Sequence, residues 1–254
     1  MKTRVQPKLW AVWCCLALAL TGWAAVPPAE PKALDDAVAG KSLAVELSTT
    51  RPTSDTLFRG TLHVRHRDRS VTRIPITTRL VLEGESWATF YEVTTTNQQE
   101  TLVVRHRTGG AAEYLHGSRL LTATNEMILA SLPAEKLWTP FASSDFAPGD
   151  LGMEFLRWPR QVLLRNETRK NTQCHVLESR PAGPTAYTRV VCWVDIESHG
   201  VVMAEAYGPQ NQRLKEFEVN SFKKIDGQWQ LQEMEMRSGP ERSRTLFQFD
   251  LQEK

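Results

Sequence analysis

The 254-residue sequence has no marked excess of either charge, no glycine-rich phosphate loop, no paired cysteine motif and no apolar run long enough to span a bilayer comfortably. Each absence removes a class. With 31 Lys and Arg against 29 Asp and Glu, bulk charge gives nucleic acid nothing to follow. Without Cys-x-x-Cys there is no dithiol redox site. Neither Gly-x-x-x-x-Gly-Lys-Ser/Thr nor Gly-x-Gly-x-x-Gly occurs, which removes the common nucleotide folds. A serine-hydrolase elbow is also missing, since His116-Gly-Ser118 is only a turn. The six histidines are scattered, and His63 and His66 are three apart on a strand, so they point to opposite faces and cannot share an ion. Disorder, collagen, coiled coil and a polytopic membrane protein are excluded by 41% hydrophobic and 24% charged residues.

What is present begins with a leader. Lys2, Arg4 and Lys8 stand in an opening segment without acids, Leu9–Leu20 is a short apolar run, and Gly22-Trp23-Ala24 is a small-x-small site. Residues 1–24 read as a secretory signal peptide cleaved near Ala24, and the chain as exported. Cys14 and Cys15 lie inside the apolar run without the pattern of a lipid-acylation site. Removing the leader's three basic residues leaves 28 basic and 29 acidic residues, a charge near −1. Two cysteines remain, Cys174 and Cys192. An oxidising compartment favours a disulfide. A hairpin centred on Gly183 would set the two cysteines opposite each other, within bridging distance. The alternative is two buried free thiols.

Residues 25–33 are Pro-rich and read as a flexible tether, leaving 34–254 as one domain. Leu34–Leu47 has apolar residues at helical spacing and predicts a helix interrupted or frayed near Gly40. Thereafter the period is two. Ile74, Ile76, Leu80 and Leu82 share one face of a strand, and Thr245, Phe247, Phe249 and Leu251 share one face of another. Further strands are expected over 60–67, 86–95, 101–107, 118–123, 161–169, 173–179, 188–196, 201–207, 214–223 and 228–236. The last changes phase between Trp229/Leu231 and Met234/Met236, which predicts a bulge near Gln232. Val190, Cys192 and Val194 on one face, with Val191 and Trp193 on the other, require cover on both sides. The same holds for Trp87 and Tyr91 against Ala88 and Phe90. The irregular stretch is Leu132–Arg160, with four prolines and several aromatics. It reads as a lid or plug in which Asp145 caps a short helix that includes Pro148. Capping and turn chemistry account for Asp145 and Asp150 more simply than an acid–base pair does. Arg59, Arg65, Arg67, Arg69, Arg73 and Arg79 read mainly as a solvated sheet face.

Pro140-Phe-Ala-Ser-Ser-Asp-Phe146, followed by Asp150-Leu-Gly-Met-Glu-Phe-Leu-Arg-Trp-Pro159, resembles the Ser-Asp-Phe…Asp-Leu segment of the LolA-like outer-membrane lipoprotein-sorting proteins. The order continues through Cys174-His-Val-Leu-Glu178, Tyr187–Asp195, Ala204-Glu-Ala-Tyr207, Lys215-Glu-Phe217, Lys223–Trp229 and Arg244-Thr-Leu-Phe247. The similarity covers roughly Thr61–Leu251. It implies an α+β domain, a large curved antiparallel sheet forming an incomplete half-barrel with helices and a lid over its concave face. It also implies a non-enzymatic periplasmic carrier, without cofactor or metal. Such a carrier holds the acyl chains of lipoproteins or other lipids in a hydrophobic cavity and sorts them toward the outer membrane. An inner-membrane release complex and an outer-membrane acceptor are the implied partners, and a monomer the implied state. Candidate cavity or lid residues are Trp87, Phe90, Tyr91, Phe141, Phe146, Trp158, Trp193, Phe247 and Phe249. The other reading is a structural or sensory domain with the same half-barrel and a filled core. A lipid hydrolase would need a nucleophile, a base and a third group converging in space.

Overall fold

The computed structural model describes residues 31–107, 110–122, 126–225 and 228–251. The leader and most of the tether lie outside the described residues. Helix α1 (Pro31–Thr49) comes first, so residues 31–33 are helical rather than tether. Strands β1 (Thr56–Arg65), β2 (Val71–Glu83), β3 (Ser86–Thr94), β4 (Gln98–Arg107), β5 (Glu113–Leu120) and β6 (Ala130–Ser131) follow. After an irregular crossing, which holds α2 (Pro148–Leu151), come β7 (Arg160–Arg169), β8 (Thr172–Arg180), β9 (Arg189–Asp195), β10 (Val201–Tyr207), β11 (Arg213–Ile225), β12 (Gln228–Ser238) and β13 (Ser243–Phe249).

All thirteen strands form one antiparallel sheet, in the order β6-β5-β4-β3-β2-β1-β13-β12-β11-β10-β9-β8-β7. Strands consecutive in sequence are neighbours in space except β6 and β7, and the central β1–β13 pair joins the two ends of the stranded region. The sheet is not closed: β6 and β7 are its two edges. This is the expected half-barrel. Period-two patterning produced it directly, since Ile74, Ile76 and Phe247 are buried on the concave face. The phase change in β12 is a bulge, with the β11–β12 register shifting around Ser221 and leaving Gln232 outside the ladder. That bulge turns Trp229, Leu231, Met234 and Met236 toward the same cavity.

The concave side carries two apolar clusters. One gathers Leu62, Ile74, Ile76, Val93, Leu102, Val104, Phe146 and Phe247. The other gathers Phe155, Leu156, Trp158, Leu177, Val190, Cys192 and Val194. The convex side has a smaller patch of Cys174, Val176, Val191, Trp193 and Met203. Arginine stems help cover it, with the Arg169 guanidinium 5.3 Å above the Trp193 ring and that of Arg189 3.8 Å above Tyr207.

Two expectations are corrected. The helix does not break at Gly40; α1 runs through it and packs against edge strand β7. A Cβ at position 40 would stand 2.6 Å from the backbone nitrogen of Leu163, so the missing side chain is what lets the helix lie on the strand. The disulfide is absent as well: Cys174 and Cys192 are free and buried. In the observed register Cys174 lies opposite Asp195 and Cys192 opposite Leu177, three positions away along the strand. An odd offset places the sulfurs on opposite faces, out of bridging range. The β8–β9 pairing ends at Ser179 and Val190, and Tyr187 lies in the resulting loop, turned inward to Asp150, so the loop is longer than Gly183 alone suggested. Burial pushes the Cys192 thiol up to about 12 and also raises Cys174, so both stay neutral.

An alanine at an exposed mid-helix glycine is worth about 1 kcal/mol of stability. Gly40→Ala should instead lower stability by about 1–3 kcal/mol through overpacking against β7, read as a fall in the thermal midpoint. Unfolding the protein in alkylating agent without reductant should label both Cys174 and Cys192, and reductant should leave the melting temperature unchanged.

Candidate functional site: an apolar cavity beneath the crossing segment

The chain must pass from edge β6 to edge β7, and residues 132–159 make that passage over the concave face. Two aspartates fix it in place. Asp145 is buried and accepts hydrogen bonds from Ser243 Oγ and, at 2.7 Å, from Thr245 Oγ1; its own N–H donates to Thr245 Oγ1 at 2.8 Å. It therefore anchors the segment to β13 and caps no helix, contrary to expectation. Asp150 accepts from the Ala147 N–H at 2.9 Å, which holds the first turn of α2, and pairs with Lys215 Nζ of β11 at 2.7 Å. The Tyr187 hydroxyl donates to Asp150 Oδ1 at 3.0 Å. Burial first, and then the Asp150 charge, raise the Tyr187 phenol well above its ordinary value.

A third attachment lies near the end of the crossing. Arg157 donates to the Gly152 carbonyl at 3.1 Å and to His106 Nδ1 at 2.7 Å; His106 in turn stacks on Trp87 with ring centres 5.0 Å apart. Burial, then the nearby Arg157 charge, depress His106 to about 4. The Tyr114 hydroxyl donates to Glu154 at 3.0 Å, and burial raises the Glu154 carboxyl.

Between the crossing and the sheet is a cavity of about 540 Å³. Phe146, Leu151, Met153 and Phe155 line it from the crossing. Phe58, Tyr91, Phe247, Phe249, Met234 and Met236 line it from one side of the sheet, and Val190, Ala204, Ala206, Phe217 and Val219 from the other. Trp229 is 70% exposed and Met153 40%, so these two mark the mouth. Asp150 and Lys215 are the charged residues of the lining, and each neutralises the other.

Among the aromatic candidates, Tyr91, Phe146, Phe247 and Phe249 line the cavity. Phe141 and Trp158 belong to the crossing but are packed into the two flanking clusters. Trp87 is spent on the His106 stack. Phe90 and Trp193 are on the convex side, under Arg79 at 4.6 Å and Arg169 at 5.3 Å. Alternation alone could have found Lys215, Phe217 and Val219 on β11. The same alternation put Thr78 on the face of Ile74 and Ile76, whereas Tyr187, outside any strand, carried no such signal. Each of the six histidines has a side-chain partner, such as Gln248 for His63, Thr72 for His66 and Glu100 for His116.

A curved, open antiparallel sheet, crossed on its concave side by a short-helix segment over an apolar cavity, is the LolA-like half-barrel architecture. Solved structures agree. A DUF1329 family protein from Desulfovibrio piger matches with a TM-score of 0.69 at 17% identity, over 85% of this chain and 91% of that one. A putative outer membrane lipoprotein-sorting protein domain from Vibrio parahaemolyticus matches with a TM-score of 0.68 at 18% identity, over 84% and 91%. A LolA-superfamily protein from Nitrosomonas europaea matches with a TM-score of 0.57 at 15% identity, over 85% and 92%. No curated protein sequence matches. A family model described only as an uncharacterized protein covers residues 123–253, slightly more than half the chain, and the chain belongs to that family.

The depressed His106 should leave a pH signature. Its unfolded value is near 6.5, so between pH 6.5 and 4 the unfolded chain binds more protons and acid removes stability, by at most about 3 kcal/mol. Glu154, raised by burial, acts in the opposite direction. Denaturation midpoints from pH 7 to pH 4 should therefore fall less steeply in His106→Gln than in the parent protein.

Proposed function

We propose that the protein is an exported, non-enzymatic carrier that buries acyl chains of lipoproteins or other lipids and moves them through the periplasm toward the outer membrane. The observation that carries this reading is the apolar cavity of about 540 Å³ beneath the crossing. A liquid water occupies about 30 Å³ and a methylene is of the same order, so the space suits one acyl chain of roughly 16–18 carbons. A dozen buried methylenes are worth about 10 kcal/mol before the costs of association. Binding of that strength needs no charged anchor, which fits a lining whose two charges are already paired. The similarity to lipoprotein-sorting folds supports the same reading, and a filled-core sensory domain fits a cavity of this size poorly. The crossing, held at its centre by Asp145 and Asp150, is the element that opens to admit and release the chain. Donor and acceptor complexes in the two membranes are the partners this role requires, with the carrier acting as a monomer.

Native mass spectrometry of the mature protein from a membrane-containing host tests this. Acyl species should co-purify with the parent protein. Val219→Trp, which fills the cavity from a half-buried wall position, should lose them while keeping a cooperative melt. A ligand-free parent that also fails to take up added lipid would refute the carrier.

A further inference from the structure

We propose that Thr78 is the polar recognition residue of this cavity, and that the ligand presents a neutral acyl carbonyl, an ester or amide, rather than an ionised fatty acid. The inference rests on the carrier reading and specifies its ligand.

Thr78 is on β2, between Phe58 of β1 and Tyr91 of β3, and all three line the cavity. Strand alternation puts it on the same face as Ile74 and Ile76, where a valine would fill the same space. The residue is 8% exposed, and its Oγ1 is the buried side-chain polar atom without a hydrogen-bond partner among the described residues. A buried, unpartnered hydroxyl costs stability, so such groups are normally satisfied. What fills the cavity faces this one.

Of the other polar residues of the wall, Gln230 is half-buried beside Trp229 at the mouth, away from the buried end where Asp150, Lys215 and Tyr187 are committed to one another. Asp150 takes Lys215, Tyr187 and the Ala147 amide. The Tyr91 hydroxyl reaches toward the Leu151 carbonyl at 3.5 Å. With Lys215 already paired, the lining offers no uncommitted cation to a buried carboxylate, whose desolvation would go uncompensated. A hydroxyl donor beside apolar walls suits a neutral acceptor. An acyl chain joined through an ester or amide brings such a carbonyl at its head, and a pure hydrocarbon brings none.

Calorimetric titration of delipidated mature protein with 1-monolauroylglycerol and with its ether analogue 1-O-dodecylglycerol isolates the carbonyl. The parent should bind the ester about tenfold more tightly, the worth of one hydrogen bond. Laurate at pH 8 should also bind more weakly than the ester. Thr78→Val should bind the ether as the parent does, lose the preference for the ester, and melt no lower. Thr78→Ser should keep the preference. Equal binding of ester and ether by the parent, laurate binding as tight as the ester, or a preference retained in Thr78→Val would overturn the role of Thr78 while leaving the carrier intact. Failure of the parent to bind either glycerol lipid would remove the carrier reading, and this inference with it.

Discussion

The chain leaves the sheet at one edge and re-enters it at the other. The β1–β13 pair occupies the centre of the sheet, so β6 and β7 stand at opposite margins. The segment joining them crosses the concave face, which offers the larger apolar surface for its aromatics. Most of the architecture follows from this constraint. The crossing supplies Phe141, Phe146, Phe155 and Trp158 to clusters that the sheet alone could not cover. It stops short of filling the space it spans, and the remainder is the cavity.

The polar chemistry serves the same crossing. Asp145, Asp150 and Arg157 tie it to β13, β11 and β4 respectively. Each bond is partly shielded from water, where a charged hydrogen bond is stronger and its loss leaves an unpaired group. The segment is thus held at a few named points rather than by continuous packing. Such an arrangement allows a discrete opening, since few bonds need to change together. Outside, the convex face has a different character. Arg79 with Glu92, Arg105 with Glu83 and Glu113, and Arg237 with Glu216 are cross-strand pairs at partly exposed positions, each worth little singly.

Much of the fold was legible because a period of two is a strong signal. The longer strands fall near their expected places, and the phase change at Gln232 marked a real bulge. The two-residue strand β6 is too short to show a period. What could not be read was which face is concave. β9 is apolar on both sides, and so is β3 around Phe90 and Tyr91, so pattern alone left Trp193 and Phe90 as plausible as Tyr91. Arginine stems resolve the matter by covering the convex aromatics, a tertiary fact with no local signature. The cysteine pairing failed for a related reason. A turn residue suggested the register, but the loop between the strands is longer and holds Tyr187, whose contact with Asp150 is a tertiary one. Gly40 shows the opposite case, in which a residue that weakens an isolated helix is required by the strand beneath it.

The central β1–β13 pair also bears on how the molecule assembles in time. Either flank, β1 to β6 or β7 to β13, is a meander of local hairpins and can form from contacts close in sequence. The seam joins residues nearly two hundred positions apart, as Gly60 with Phe249 does. Closing a loop of that length carries the largest entropic cost in the sheet, and β13, which completes the seam, is the last strand along the chain. The two halves of the cavity therefore cannot face each other until the whole sheet exists. An incompletely synthesised chain therefore carries no finished cavity.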